Sequence, residues 1–185
     1  MMKKFFLLII ILSPLVCGQR VDFFKEDITF RLFNAQFYVE GYYWFANNFD
    51  KPVSSSLYYP FPNYSGEKID SIYLYNISAG QKSGFTWESR NAISFKLYIE
   101  PHDTVLLQIG YRQSLTADSA VYILKTTQGW GKPLVNAEYK LLVPQSIKIK
   151  KFSYPPDKSY FIENQKIYYW KKDNFMPKRD MIFYF

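Results

Sequence analysis

The sequence predicts an all-β protein, an antiparallel β-sandwich of about ten strands behind an N-terminal export signal. Three observations carry this. Apolar and polar residues alternate at a period of two along most of the chain, the mark of half-buried strands. Past the first eighteen residues no stretch of ten or more keeps a helical stripe. Pro and Gly punctuate the alternation about every ten residues, as turns between short strands require.

The opening residues form an address rather than a fold. Lys3 and Lys4 make a positive start, residues 5–12 an apolar run, and Pro14 breaks any helix before Val16-Cys17-Gly18. This order predicts a signal peptide over 1–18 with cleavage after Gly18. The apolar run is short of the roughly twenty residues that a bilayer requires. The alternative is a lipid anchor through Cys17, where lipoprotein sites carry a small residue in the place of Val16. Residues 19–185 are then expected to form a single β-sandwich domain, with a C-terminal hairpin extension from about 154 at the Tyr154-Pro155-Pro156 joint.

Strands are expected over 28–33, 36–45, 54–59 and 71–75, with Asn47-Asn48-Phe49-Asp50-Lys51-Pro52 as a dense turn. Ile93, Phe95, Leu97 and Ile99 alternate with polar neighbours, as do Val105, Leu107, Ile109 and Tyr111 after Pro101-His102-Asp103. These two runs read as a hairpin, each with one apolar face. A strand over 120–126 follows. Val135, Ala137, Tyr139, Leu141 and Val143 form the inward face of a further strand, Ile147 and Ile149 that of another, and residues 166–170 and 181–185 complete the set.

The run from Tyr43-Trp44-Phe45-Ala46-Asn47 to Val53, followed by Tyr59-Pro60-Phe61-Pro62, resembles a pattern of uncharacterised exported bacterial β-sandwich proteins. It is also similar to the vault/inter-alpha-trypsin type of β domain, which carries a comparable strand, turn and Phe-Pro-Leu-Pro. The residues from Ile99-Glu100-Pro101 to Tyr111 match the later hairpin of both. The resemblance spans residues 28 to about 111 and implies a fold, with no assigned activity in the first family.

Composition limits the chemistry. The chain of 185 residues has one His, and its one Cys is lost with the signal. Gly-x-Ser-x-Gly and phosphate-cradling glycine loops are absent, so the usual nucleophile and nucleotide chemistries lack their parts. His102 stands in a turn between Glu100 and Asp103, a spacing that splays side chains apart rather than closing on a metal. Glu40, Glu88, Glu138 and Glu163 could serve a two-carboxylate glycosidase but carry no distinguishing context. The expectation is therefore a non-enzymatic protein without cofactor or metal. The sequons at Asn63 and Asn76 matter only in a eukaryotic secretory route.

Two surpluses point to binding. The chain holds 17 Phe, 17 Tyr and 4 Trp, and Trp130 lies in a glycine-flanked segment, Gln128-Gly129-Trp130-Gly131, suited to stacking on a sugar ring or filling a partner's pocket. Tyr42, Tyr43, Trp44, Tyr58 and Tyr59 could extend that platform. The second surplus is charge: residues 145–179 hold nine basic and three acidic side chains, among them Lys148, Lys150 and Lys151. Such a face attracts an anionic membrane surface, a glycan or an envelope protein, and export argues against nucleic acid. The expected function is an exported module of the bacterial cell envelope, in the periplasm or at the cell surface, with a binding or structural role. A carbohydrate-binding module is one alternative. The other is an outer-membrane β-barrel of about eight strands, suggested by the aromatic C-terminus 181–185 and opposed by strand length and internal prolines.

Overall fold

The computed structural model describes residues 21–62 and 68–185. The expected signal peptide, Cys17 and the Asn63 sequon lie outside them. In chain order the strands are β1 (Asp22–Phe33), β2 (Gln36–Ala46), β3 (Val53–Pro60), β4 (Ile69–Asn76), β5 (Gln81–Lys82), β6 (Thr86–Ser89), β7 (Ala92–Ile99) and β8 (Thr104–Ser114). There follow β9 (Ser119–Tyr122), a 3-10 helix (Lys125–Trp130), β10 (Leu134–Pro144), β11 (Lys151–Phe152), β12 (Lys158–Ile162), β13 (Gln165–Phe175) and β14 (Met181–Tyr184). The fold is all-β and sandwich-like, as the two-residue alternation predicts.

One large sheet runs in the order β12-β13-β10-β1-β2-β8-β4-β5, and two three-stranded sheets, β3-β7-β6 and β11-β14-β9, accompany it. Five of the strands in the large sheet reach 11 or 12 residues, longer than the turn spacing suggests. The sheet is open nevertheless: β12 and β5 are its edges and do not pair with each other, so the barrel alternative is corrected. After residue 154, β12 and β13 continue this sheet, with β13 laid against β10, while β14 joins β11 and β9. β1 and β2 meet through Asn34 and Ala35, both at positive φ (50° and 55°), the left-handed pair that a two-residue hairpin matched to strand twist needs.

Partner choice departs from the sequence reading in two places. β1 pairs with β10 in parallel, Glu26 opposite Ala137 and Ile28 opposite Tyr139, so the large sheet is mixed rather than purely antiparallel. The expected hairpin between β7 and β8 is a corner: β7 lies between β3 and β6, and β8 between β2 and β4. The turn itself forms, with His102 at φ 56° and the Asp103 N–H donating to Glu100 O at 3.3 Å, but it carries the chain between sheets.

Asn47 ties that corner to the neighbouring one between β2 and β3. Its buried side-chain amide lies 2.8 Å from Lys51 O, 3.1 Å from Ile99 O and 2.9 Å from Glu100 O, and its Oδ1 accepts from the Phe49 N–H at 3.0 Å. Its backbone N–H donates to Asp103 O at 2.9 Å. The two crossings are thus stitched by one side chain that leaves few peptide groups unmatched.

The core lies between the sheets. Ile93, Phe95, Leu97, Ile99, Val105, Leu107, Ile109, Tyr111, Tyr139 and Leu141 are all buried, as expected, each contributing about 1.5–3 kcal/mol by leaving water. Much of the aromatic surplus is spent here: Phe30 packs 5.5 Å from Phe37 and 5.2 Å from Phe183, and Trp170 5.9 Å from Phe183. Trp170 Nε1 donates to Tyr154 O at 2.8 Å, which satisfies the polar atom of a buried indole.

Three local expectations are corrected. Val135 is 66% exposed: Leu134 takes the inward place, and Asn174, at φ 48°, lies between Asp173 and Phe175, the β13 residues that pair with Asn136 and Leu134. Ile147 and Ile149 do pack on the core, but without a strand ladder. The strand expected over 120–126 ends at Tyr122, and the chain turns into the 3-10 helix.

Candidate functional site

A cleft of about 540 Å³ opens between the large sheet and the smaller ones. Phe23 and Glu26 of β1, Tyr43 and Phe45 of β2 and Ile109 of β8 form its floor. Residues 55–60 of β3 and Phe95 of β7 form the facing wall, and Tyr122, Ile123, Thr126, Thr127, Gly129 and Trp130 close one end. Its size suits a small organic ligand.

The floor is shaped by a bulge. Phe23 pairs with Phe45 and Lys25 with Trp44, so Phe24 is an extra residue with no partner on β2. A bulge shifts which side chains face inward, and here Phe23 and Glu26 both point to the core side. The end wall is held by the connection leading into β14: Asp180 Oδ1 accepts from the N–H groups of Leu124 (3.1 Å) and Lys125 (3.0 Å), and Gln128 Nε2 donates to Pro177 O at 2.7 Å. Gly131, at φ 73°, ends the 3-10 helix, a left-handed position that glycine fills without steric cost. Trp130 lies 5.7 Å from Phe23 and 5.8 Å from Phe45, half-buried.

The inner polar groups of the cleft are bonded in two sets. Tyr43 Oη stands 2.8 Å from Tyr59 Oη and 2.9 Å from Tyr122 Oη. Tyr139 Oη, reaching over from β10, donates to Glu26 Oε1 at 2.5 Å. Burial pushes the Glu26 carboxyl up to about 7, with the Tyr139 hydrogen bond pulling the other way, because a carboxylate removed from water loses its solvation. Burial likewise raises the phenols of Tyr43, Tyr59, Tyr122 and Tyr139. The Glu26 charge adds to the rise at Tyr43 and Tyr139, and the Tyr43 phenol at Tyr59 and Tyr122. These hydroxyls remain neutral at any physiological pH.

Of the residues singled out in the sequence, Trp130 belongs to this cleft and Lys148, Lys150 and Lys151 do not. The three lysines are exposed around the start of β11. Lys150 Nζ donates to Phe185 O at 3.0 Å and the Lys151 ammonium lies 5.8 Å from the Tyr184 ring. The tyrosine platform is divided between faces: Tyr43 and Tyr59 enter the cleft, Tyr58 stands exposed at its rim, and Tyr42 and Trp44 point the other way, where Lys25 covers Trp44 at 4.3 Å. His102 Nε2 meets Asp50 Oδ1 at 2.8 Å on the surface. Among the described residues no three His, Cys, Asp or Glu side chains gather as a metal site would require. Glu40, Glu88, Glu138 and Glu163 do not line the cleft.

Sequence reasoning missed Glu26. The signal was its phase: it stands two residues before Ile28 and four before Phe30, on the inward side of β1. The expected strand began at 28 and left it out.

No family model and no curated protein matches the chain. Among solved structures it is similar to a candidate nutrient binding protein from Legionella pneumophila, with a TM-score of 0.71 and 14% identity over 88% of this chain and 66% of that one. It is also similar to an M1 zinc metallopeptidase from Deinococcus radiodurans, with a TM-score of 0.56 and 13% identity over 90% of this chain and 43% of that one. The chain thus spans just under two thirds of the first and less than half of the second. At such identities the likeness is one of fold, a β-rich architecture found in bacterial proteins.

Proposed function

We propose that this chain is an exported, non-enzymatic binding module of the bacterial envelope that holds a small ligand in the cleft between its sheets. The observation that carries the reading is the cleft itself: a volume of about 540 Å³ walled by aromatic rings, with a few convergent polar groups at its floor. That is the usual form of a small-molecule site. The fold likeness to a candidate nutrient binding protein supports a binding role. The order of charge, apolar run and small residue over 1–18 supports export. Among the described residues the cleft lining holds one carboxylate and no His or Cys, which supports binding over catalysis because acid–base and nucleophilic mechanisms use paired groups.

The test is native mass spectrometry of protein isolated from its own envelope, beside a Ser55→Trp variant that fills the cleft wall. A small molecule retained by the wild type and missing from the folded variant supports the reading. Equal retention by both proteins would move the site elsewhere.

A second reading rests on the basic stretch. On the edge hairpin, Lys158 lies 4.7 Å over Tyr169, Lys166 lies 5.5 Å over Phe161, and Phe161 and Ile162 are exposed. This face suits an anionic membrane or acidic glycan. Its binding would weaken as salt rises past about 0.15 M, where the screening length is about 8 Å.

A further inference from the structure

Charge inside the cleft is one-sided. Among the described residues its lining contains eight aromatic side chains, Phe23, Tyr43, Phe45, Tyr58, Tyr59, Phe95, Tyr122 and Trp130, one acidic group, Glu26, and no Lys, Arg or His. Glu26 is 2% exposed. Its partner across the β1–β10 pair is a phenol, which cannot neutralise it. A buried carboxylate without a counter-ion is costly, and either a proton or a bound cation relieves that cost. Aromatic faces favour that same cation, since their quadrupoles attract ammonium groups and their area takes up the apolar remainder of a ligand. An anionic ligand would instead meet the Glu26 charge with no basic side chain among the described lining residues to offset it, and a neutral one would bring no charge to match it.

Resting on the reading that the cleft is the binding site, we propose that its ligand is an organic cation: a primary amine whose ammonium sits on the Glu26 carboxylate and whose apolar body lies against Phe23, Phe45 and Trp130. Binding is then linked to ionisation of one group. Other titratable groups facing Glu26 are Tyr139 of β10, Tyr43 of β2, Tyr59 of β3 and Tyr122 of β9, and all remain neutral phenols through pH 8. With the Glu26 carboxyl half-protonated near neutrality, an arriving ammonium displaces the acid proton into solvent, and affinity rises as pH climbs from about 6 to about 8.

Three probes of one shape and different charge decide it: phenethylammonium, phenethyl alcohol and phenylacetate, each titrated into the protein and followed by NMR chemical shifts. At pH 8 the amine is expected to bind at least about 10-fold more tightly than the alcohol, with phenylacetate weakest. The preference should shrink at pH 6 and fall below about 2-fold in Glu26→Gln. The wild-type ranking stands without the variant, so a misfolded Glu26→Gln protein leaves the test intact. Equal binding of amine and alcohol overturns the cation assignment while leaving the cleft a binding site, provided that Ser55→Trp blocks both. Tighter binding of phenylacetate overturns it as well. Saturable binding of none of the three, or binding indifferent to Ser55→Trp, overturns the assignment and the reading beneath it together.

Discussion

Tyr139 donates to the Glu26 carboxylate at 2.5 Å across the parallel pair of β1 and β10, at the floor of an aromatic cleft. That contact joins residues 113 apart in the chain and has a consequence for stability. The Glu26 carboxyl is raised from 4.5 to about 7 in the folded protein. The folded state therefore holds the proton more tightly than the unfolded chain. Stability is full below about pH 4.5 and falls as pH rises toward 7, by roughly 3 kcal/mol in all, then levels. Urea unfolding between pH 5 and 8 should show this fall in the wild type and a flatter profile in Glu26→Gln. Parallel profiles would refute the assignment.

Asn47→Ala is expected to cost about 2–4 kcal/mol. It removes the amide that bonds the carbonyls of Lys51, Ile99 and Glu100 at the two sheet crossings and leaves buried acceptors unmatched. Asn47→Asp should be nearly as damaging, since a carboxylate does not donate. A shift in urea midpoint equivalent to less than about 1 kcal/mol for Asn47→Ala would show that the corners hold without it.

Two glycines of the large sheet offer a matched comparison. A methyl added at Gly41 would run into the phenol of Tyr43, and one at Gly110 into that of Tyr73. Tyr43 is buried and bonded to Tyr59 and Tyr122, whereas Tyr73 is 41% exposed. Gly41→Ala should thus destabilise by about 1–3 kcal/mol and impair cleft binding, while the ring displaced by Gly110→Ala can swing into solvent. Comparable melting temperatures for the two variants would contradict this.

Trp130→Ala should lower both stability and cleft affinity, because the indole packs on Phe23 and Phe45 and also walls the cleft. The expected stability loss, about 1–3 kcal/mol, lies below the 2–5 kcal/mol of Leu107→Ala in the core. Lys148→Ala, exposed, should stay within about 0.5 kcal/mol. Calorimetry of the three variants gives the ranking, and a Trp130→Ala protein as stable as the wild type would mark the indole as a ligand contact alone.

By itself the sequence determined most of the strand segments and, along β7 and β8, which way their residues face. Alternation at a period of two needs only local backbone geometry, so Ile93, Phe95, Leu97 and Ile99 are inward on β7, and Val105, Leu107 and Ile109 on β8, whatever lies beside them. Neighbours were decided by tertiary structure. Period two is identical for parallel and antiparallel pairing, and for a hairpin and a corner, so neither the β1–β10 pair nor the divergence of β7 from β8 could be read from it. The site was legible at Trp130 and at Tyr43, Tyr58 and Tyr59 of the aromatic platform, and not at Glu26. Glu26 shares the inward phase of Ile28 and Phe30, yet a buried carboxyl needs a bonding partner, and Tyr139, 113 residues away, is supplied only by the parallel pairing of β10 with β1.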